Sequence, residues 1–224
     1  MFFSEKYDNM NENEREDLLK VLFMNSDSDY SAEIRTEYYS KQLKSMGENV
    51  KIGSGVKIIN PQYVSIGDNV TIMDDVTIYA RGEGGIEIGD NSRLCQRVYL
   101  DTQSETTGYI KIGSQVYIGT GTTLFGHMGL EIGDYSLLAQ NITLTPYSHK
   151  FNNADEVIKK QGGNMKKVVI GRDCYIGMGA CIMYSGDIGD GSVVGAASTV
   201  VKPIPPYSIA VGTPAKVIKS RKKW

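Results

Sequence analysis

The 224-residue sequence predicts an all-β solenoid: a parallel β-helix of hexapeptide repeats with a short α-helical cap at its N-terminal end. Three observations predict this fold class. An aliphatic residue recurs every six positions from Ile52 onward, a small or β-branched residue follows it by four positions in most repeats, and 25 glycines stand beside only 6 prolines. A helix of 3.6 residues per turn cannot keep every sixth residue on one face, whereas a three-sided coil can.

The aliphatic positions define the coils. Each hexapeptide supplies one short strand and one corner, so three hexapeptides complete a turn, and glycine or asparagine accepts the positive φ of a corner. Equivalent residues of successive coils then stack, with their strands about 4.8 Å apart. The inward positions are Ile66, Ile72, Ile78; Ile88, Leu94, Leu100; Ile112, Ile118, Leu124; Ile132, Leu138, Leu144; Ile170, Ile176, Ile182; and Ile188, Val194, Val200, after a partial coil of Ile52 and Ile58.

The spacing of the coils locates the insertions. Coils that begin at Ile66, Ile88, Ile112, Ile132 and Ile170 are 22, 24, 20, 38 and 18 residues long, and the surplus always follows the third hexapeptide. One edge of the prism is therefore decorated, chiefly by a loop at residues 146–167. Long excursions from a rigid scaffold usually carry function. Residues 150–167 contain Phe151 and Ile158 but are otherwise largely polar, and we expect a neighbouring subunit and a ligand to hold them.

The flanks complete the domain plan. Residues 1–47 are interpreted as a helical cap, with amphipathic helices at 12–24 and 28–45; residues 48–206 form the β-helix, and residues 207–224 form a C-terminal strand and a basic tail. The helices are expected to cover the unpaired strand edges at the open end of the solenoid. The alternative is that they contribute to a ligand site.

Composition excludes several classes. The formal net charge of −2 lacks the broadly basic footprint of a nucleic-acid binder. No apolar run approaches the roughly 18 residues of a membrane span, and the first ten residues show no signal peptide. Three cysteines without regular spacing, Cys95, Cys174 and Cys181, indicate reduced thiols. The expected location is the cytoplasm.

The C-terminal half carries a family resemblance. It lies in five segments: YSH (147–149), IGRDCYIG (170–177), IGDGSVVGAA (188–197), IPPYS (204–208) and VGTPAKVI (211–218). Together they resemble the left-handed β-helix acyltransferase superfamily, most closely the maltose, galactoside and capsular-polysaccharide O-acetyltransferases, over roughly residues 130–220. The resemblance implies left-handed coils, acetyl-CoA as acyl donor, a sugar hydroxyl as acceptor, and a homotrimer with active sites between subunits.

The acceptor class follows from where the resemblance ends. The N-terminal half lacks the helical head of the maltose and galactoside enzymes and has extra coils with their own insertions. This departure favours a polysaccharide or lipopolysaccharide precursor over a free disaccharide. The sequence names no particular sugar.

The chemistry needs a base for the acceptor hydroxyl, and histidine suits this role because its pKa lies near neutrality. The chain has two histidines, His127 and His149, on the decorated edge of adjacent coils. His149 matches the family's catalytic histidine and is predicted to be the general base. His127 and Asp101 are candidates for acceptor binding; a turn role for His127 and a solvated Asp101 are the alternatives.

The donor site is predicted from stacking at a different corner. Small residues in equivalent positions of adjacent coils leave a shallow groove for the pantetheine arm, and the resemblance assigns this surface to CoA, with a backbone amide near Met178 facing the thioester oxygen. Lysine and arginine residues near the C-terminus are candidate phosphate contacts, a solvated tail being the alternative. The predicted donor-binding set is Met178, Gly179, Ala196, Ala197, Lys202, Lys219 and Arg221.

Other functions on the same fold remain as alternatives. An N-acyltransferase acting on an amino sugar nucleotide would share the fold and the donor, and only acceptor assays separate it. A zinc carbonic anhydrase needs three imidazoles around its metal, and two histidines do not provide them; no metal site is expected. A non-catalytic structural solenoid would favour uninterrupted faces, which the decorated edge contradicts.

Overall fold

The computed structural model describes residue 6 and residues 8–222. Three parallel sheets form the sides of a prism. The first sheet contains Ser45–Met46 (β1), Val64–Ile66 (β4), Ile86–Ile88 (β7), Ile110–Ile112 (β10), Leu130–Ile132 (β13) and Val168–Ile170 (β18). The second contains Lys51–Ile52 (β2), Thr71–Ile72 (β5), Arg93–Leu94 (β8), Tyr117–Ile118 (β11), Leu137–Leu138 (β14), Tyr175–Ile176 (β19), Val193–Val194 (β21), Ser208–Val211 (β23) and the antiparallel Lys216–Ser220 (β24). The third contains Lys57–Ile59 (β3), Thr77–Tyr79 (β6), Tyr99–Asp101 (β9), Thr123–Phe125 (β12), Thr143–Leu144 (β15), Cys181–Ile182 (β20) and Thr199–Val200 (β22).

The register of these sheets confirms the predicted repeat. Ile66 pairs with Ile88, which pairs with Ile112, and the column continues through Ile132 to Ile170. The predicted inward aliphatic residues of all three sides are buried and form one continuous hydrophobic cluster. The chain is a left-handed β-helix of about 7 turns. Met46 pairs with Ile66 and so begins this column one coil earlier than the sequence pattern suggested.

Polar side chains tie the corners of adjacent coils together. In the corner after the first sheet, an aspartate carboxylate accepts a backbone N–H from the preceding coil: Asp68 from Glu48 at 2.7 Å and Asp90 from Asp68 at 2.9 Å. The buried hydroxyl of Ser92 donates to the carbonyl of Gly113 and accepts the amide of Val116. The small inward residues thus satisfy backbone groups that the short strands leave unpaired.

Two α-helices precede the coils. The first, α1, spans Glu12–Asn25 and begins at a capping box between Asn11 and Glu14; the second, α2, spans Asp29–Ser40. The second helix is shorter than predicted, because the chain turns at Lys41 and enters β1, whose hydrogen bonds to β4 take the place of further helix.

The second helix covers the open end of the prism. At two positions of each side an N–H group donates to the next coil, as Gly53 does to the Ile72 carbonyl and Lys57 to the Val76 carbonyl. The equivalent carbonyls of the first coil, Ile52 and Val56, have no preceding strand to donate to them. Buried Arg35 donates from Nε to the Ile52 carbonyl at 3.2 Å, and the Tyr39 hydroxyl donates to the Val56 carbonyl at 3.0 Å. The capping role expected of this segment is therefore seen in its hydrogen bonds.

The other end of the solenoid closes with a hairpin. Strand β23 continues the second sheet in parallel with β21, and β24 then pairs with β23 in the antiparallel direction. Lys216 and Lys219 of the predicted basic tail therefore lie in a strand, whereas Arg221 and Lys222 follow it. None of the helices in the described part of the chain is long and apolar enough to cross a membrane.

Candidate functional site

The insertions leave the prism at one corner, as predicted. We call it the decorated corner: residues 80–85, 102–109, 126–129, 145–167 and 183–187, which follow β6, β9, β12, β15 and β20. Because the strands before these segments stack in one sheet, the segments stack along one edge. Side chains from coils far apart in sequence therefore meet there.

The predicted base lies in a hairpin at this corner. Tyr147–His149 (β16) pairs antiparallel with Gly163–Met165 (β17), and His149 lies opposite Gly163. The His149 side chain is exposed, and its Nδ1 lies 3.1 Å from the hydroxyl oxygen of Tyr147. When Nδ1 carries the proton it donates to this phenol oxygen, and Nε2 keeps the lone pair that a general base needs.

Two contacts hold the Tyr147 ring. It stacks on the His127 imidazole at 5.1 Å between centroids, with 17° between the planes. Gly163 packs so closely against the ring that a β-carbon there would collide with it. Tyr147 and His127 occupy equivalent positions of adjacent coils. The tyrosine is thus an oriented partner for His149.

Aromatic rings continue this stack along the edge. Phe125 lies edge-on to His127 at 6.0 Å, and Tyr99 lies edge-on to Phe125 at 6.2 Å. His127 Nδ1 is buried without a hydrogen-bond partner among the described residues. Burial lowers the pKa of His127; the Asp101 carboxylate opposes this shift and the Arg81 guanidinium adds to it. This shift favours the neutral imidazole, and the His127 ring forms part of an aromatic wall that leads to His149.

Asp101 anchors the far end of this wall. It is fully buried, and its carboxylate accepts hydrogen bonds from Arg81 Nε at 2.7 Å and Arg81 Nη2 at 2.9 Å, the Tyr99 hydroxyl at 2.9 Å, and the Gln103 amide and side chain. Burial alone would raise the pKa of Asp101, but these hydrogen bonds together lower it. Its burial rules out the solvated alternative. A direct acceptor contact by Asp101 stays a prediction, which this burial disfavours.

Salt bridges at its C-terminal end anchor the long loop to its own chain. The Lys166 ammonium lies 2.8 Å from Asp187, and Lys167 lies 3.2 Å from Glu131. The β16–β17 hairpin pairs within the chain, so the ends of the loop are held without a neighbouring subunit or a ligand; their contact with the rest of the loop stays a prediction. At the tip, Phe151 and Ile158 are exposed.

The predicted donor groove lies at another corner of the prism. Met178, Gly179, Ala196 and Ala197 are in the second corner, which we define as residues 177–180 and 195–198, between the second and third sheets. Met178, Ala196 and Ala197 are exposed, and a β-carbon on Gly179 would meet open space. Among the backbone hydrogen bonds of the described residues, the amides of Met178 and Ala196 donate none. This corner thus offers an open surface with free donors.

The predicted phosphate contacts are scattered. Exposed Lys202 follows β22 on the same edge as the histidines, and exposed Lys219 lies in β24 opposite Ile209. Arg221 donates to the carbonyls of Asp173 and Gly191 and to the Asp173 carboxylate, in the corner between the first and second sheets. The structure therefore does not bring Arg221 together with the second corner.

Sequence reasoning missed two contributors to the site. The sequence shows Tyr147 only as part of the YSH motif. Its position in the repeat, equivalent to that of His127 one coil earlier, is the signal that predicts the stacking of the two rings. Gly163 leaves no sequence signal of this kind, because its role depends on the hairpin pairing.

In the described residues the three cysteines are free thiols, and no three His, Cys, Asp or Glu side chains come together as a metal site.

Comparisons with known proteins agree with this architecture. A family model for the hexapeptide repeat of succinyl-transferase matches residues 63–101 and 167–202. A probable acetyltransferase of Mycobacterium tuberculosis is 32% identical over 166 residues, covering 74% of this chain and 54% of that protein. The galactoside O-acetyltransferase of Escherichia coli is 33% identical over 133 residues, covering 59% of this chain and 62% of that protein. The chain thus spans less than two thirds of either relative.

A solved structure shows a similar fold over most of the chain. It is a variant of AntD, an N-acyltransferase from Bacillus cereus, in complex with dTDP and coenzyme A. It is 26% identical in sequence, with a TM-score of 0.60, and the match covers 84% of this chain and 90% of that one. Stacked hexapeptide coils with one decorated corner define a hexapeptide-repeat β-helix. The chain has the left-handed β-helix fold, and it is similar in sequence and structure to hexapeptide-repeat acyltransferases.

Proposed function

We propose that this protein transfers an acetyl group from acetyl-CoA to a hydroxyl of a sugar or of a surface polysaccharide or lipopolysaccharide precursor, with His149 as general base. The observation that carries this proposal is the contact between Tyr147 and His149 Nδ1, which leaves the exposed Nε2 available. The similarity to hexapeptide-repeat acyltransferases, the galactoside O-acetyltransferase among them, supports the choice of reaction.

The reaction follows from this geometry. His149 Nε2 takes the hydroxyl proton as the acceptor oxygen bonds to the thioester carbon. The tetrahedral intermediate then collapses, the C–S bond breaks, and the leaving sulfur receives the proton from the imidazolium. A free backbone amide at Met178 is a suitable donor for the oxyanion, because such donors stabilise charge that develops in the transition state.

The two halves of this site lie on different corners of one chain. His149 is at the decorated corner, whereas Met178 and Ala196 are at the second corner, on the other side of the third sheet. The proposed homotrimer would resolve this separation if the decorated corner of one subunit lies against the second corner of its neighbour around the threefold axis. The exposed apolar side chains of Phe151 and Ile158 give the loop tip a surface for such a contact.

Mixed trimers test this arrangement. His149→Ala chains lack the base, and Ala196→Trp chains have a filled groove, so each homotrimer is expected to be inactive. Refolding the two together should restore activity, because some interfaces then combine an intact base with an intact groove. Recovery of no activity in mixed trimers, or a monomer that turns over, would refute the shared site.

The base itself is tested by His149→Ala in the intact protein. A positioned general base contributes typically about 10²–10⁴-fold, so kcat should fall by at least about 10²-fold. Affinity for acetyl-CoA and the melting temperature should not change, since the side chain is exposed. His127→Ala is the comparison, since it removes the other histidine of the same edge. Near-full activity in His149→Ala together with a large loss in His127→Ala would reverse the two roles.

N-acylation of an amino sugar nucleotide is the second candidate. The AntD structure favours it, because that protein is described as an N-acyltransferase and was solved with dTDP. The same base and donor corner would serve an amine acceptor. Thiol release from acetyl-CoA, measured against a panel of sugars, oligosaccharides and amino sugar nucleotides, separates the candidates: turnover with the amine alone replaces the O-acetyl proposal.

A further inference from the structure

We propose that Arg81 is the anion-binding residue of the acceptor site and that the acceptor carries a phosphate or carboxylate some three coils away from the reacting group. This inference rests on the proposed acyl transfer and assigns its acceptor class. It starts from the ion pair at the decorated corner between Arg81 and the fully buried Asp101.

Arg81 is held in one orientation. Its Nε and Nη2 donate to the two oxygens of Asp101, and its guanidinium lies 4.1 Å from the centroid of the Tyr79 ring. The backbone amide of Arg81 donates to Thr102 Oγ1 at 2.9 Å. Arginine loses less conformational entropy on binding a ligand when its planar fork is already fixed.

The Arg81–Asp101 pair leaves hydrogen-bond donors of the guanidinium unused. Asp101 is fully buried and receives hydrogen bonds from three residues, so its own oxygens are occupied. Arg81 has 32% of its side chain exposed, and its Nη1 makes no hydrogen bond within the described residues. A planar guanidinium with two free N–H groups matches the oxygens of a phosphate or carboxylate.

The position of Arg81 sets the size of the acceptor. Arg81 and His149 follow the third-sheet strands of the first and fourth of four successive coils, so three coil spacings, about 14 Å, separate their backbone positions along the edge. The rings of Tyr99 and Phe125 lie between these two positions, and aromatic faces suit sugar rings. An acceptor that reaches from His149 to Arg81 must carry its anionic group at a distance from the reacting hydroxyl, as a sugar joined to a diphosphate or to an acidic sugar does.

A purely structural brace is the competing explanation. Arg81 also compensates the buried charge of Asp101, and removing one partner of a buried pair is strongly destabilising. Two variants separate the roles. Arg81→Lys keeps a positive charge beside Asp101 but loses the free fork, and the double variant Arg81→Gln/Asp101→Asn removes both charges while keeping polar groups of similar shape.

The experiment measures binding by calorimetry to the full-length protein loaded with CoA. The probes are thymidine diphosphate and D-glucuronate, with thymidine and D-glucose as their uncharged counterparts. We expect the wild type to bind one charged probe at least tenfold more tightly than its counterpart, and both variants to lose that preference while CoA affinity is unchanged. A preference for thymidine diphosphate identifies a sugar diphosphate, and one for glucuronate identifies an acidic saccharide.

Two results overturn the inference: a wild type that prefers neither charged probe, or a double variant that binds like the wild type. Should both variants fail to fold, phenylglyoxal modification of the wild type replaces them, read by peptide mapping. The charged probe must then slow modification at Arg81 and leave Arg172 unaffected; equal rates with and without probe contradict the inference. Loss of CoA binding by the wild type would instead refute the acyl-transfer proposal.

Discussion

Replacing Tyr147 with phenylalanine isolates a single hydrogen bond at the proposed base. The phenylalanine ring can keep the stack on His127 and the contact with Gly163, so the fold should not change. What is lost is the 3.1 Å contact with His149 Nδ1. A hydrogen bond of this kind contributes about 0.5–1.5 kcal/mol. If all of it serves to orient the imidazole, kcat should fall by about 2- to 12-fold.

A double-mutant cycle makes this prediction specific. In the His149→Ala background the phenol has no imidazole to orient, so adding Tyr147→Phe should change kcat little, since residues that act as a unit are non-additive. The assay is single-turnover acetyl transfer, with circular dichroism and melting temperature as controls. A full Tyr147→Phe effect that persists without His149 would show that the tyrosine acts by another route, such as contact with the acceptor. Wild-type kcat in Tyr147→Phe would show that the hydrogen bond orients nothing.

Three further predictions concern the loop, the buried histidine and the cap. Replacing residues 152–161 with a short Gly/Ser linker should keep the β16–β17 hairpin and the circular dichroism spectrum but reduce transfer to the acceptor; unfolding would identify the loop as a brace. Because burial lowers the pKa of His127 below 6.5, the unfolded chain binds the proton more readily, so the free energy of unfolding should fall as pH drops below about 6.5. Denaturant titrations of His127→Phe should lack this component, and an unchanged pH profile would contradict it. Arg35→Ala leaves three carbonyls without a charged donor and should lower the free energy of unfolding by about 2–4 kcal/mol, with a near-zero change as the contrary result.

The sequence specified the fold more fully than the site. The aliphatic residues from Ile66 to Ile188 recur at regular positions in the sequence. Because each strand pairs with the next coil in the same register, the strand pairing predicted from the repeat is found along the whole solenoid. The decorated corner followed from coil lengths alone. The early end of α2 could not be read this way, because the pairing of Met46 with Ile66 competes with helix that local sequence would otherwise allow.

The site depended on contacts that are not periodic. His149 could be predicted because histidines are few and a motif surrounds it. The close approach of Gly163 to Tyr147 arises from the antiparallel pairing of two segments within an insertion, for which the six-residue repeat gives no register. The two-oxygen pairing of Asp101 with Arg81 likewise depends on two corner segments of different length meeting at one edge.

The linear stacking of the coils has a consequence for how the molecule opens. Each coil is hydrogen-bonded only to the coils before and after it, so the stability of a solenoid is close to a sum of nearest-neighbour contributions. Transient opening should begin at the ends, beneath α2 and beneath β24, and progress inward one coil at a time. The coils that carry His127 and His149 lie inside the stack, so their amides should exchange with deuterium more slowly than those of β2 or β23. A molecule whose first coil has already frayed would still hold its imidazoles in place.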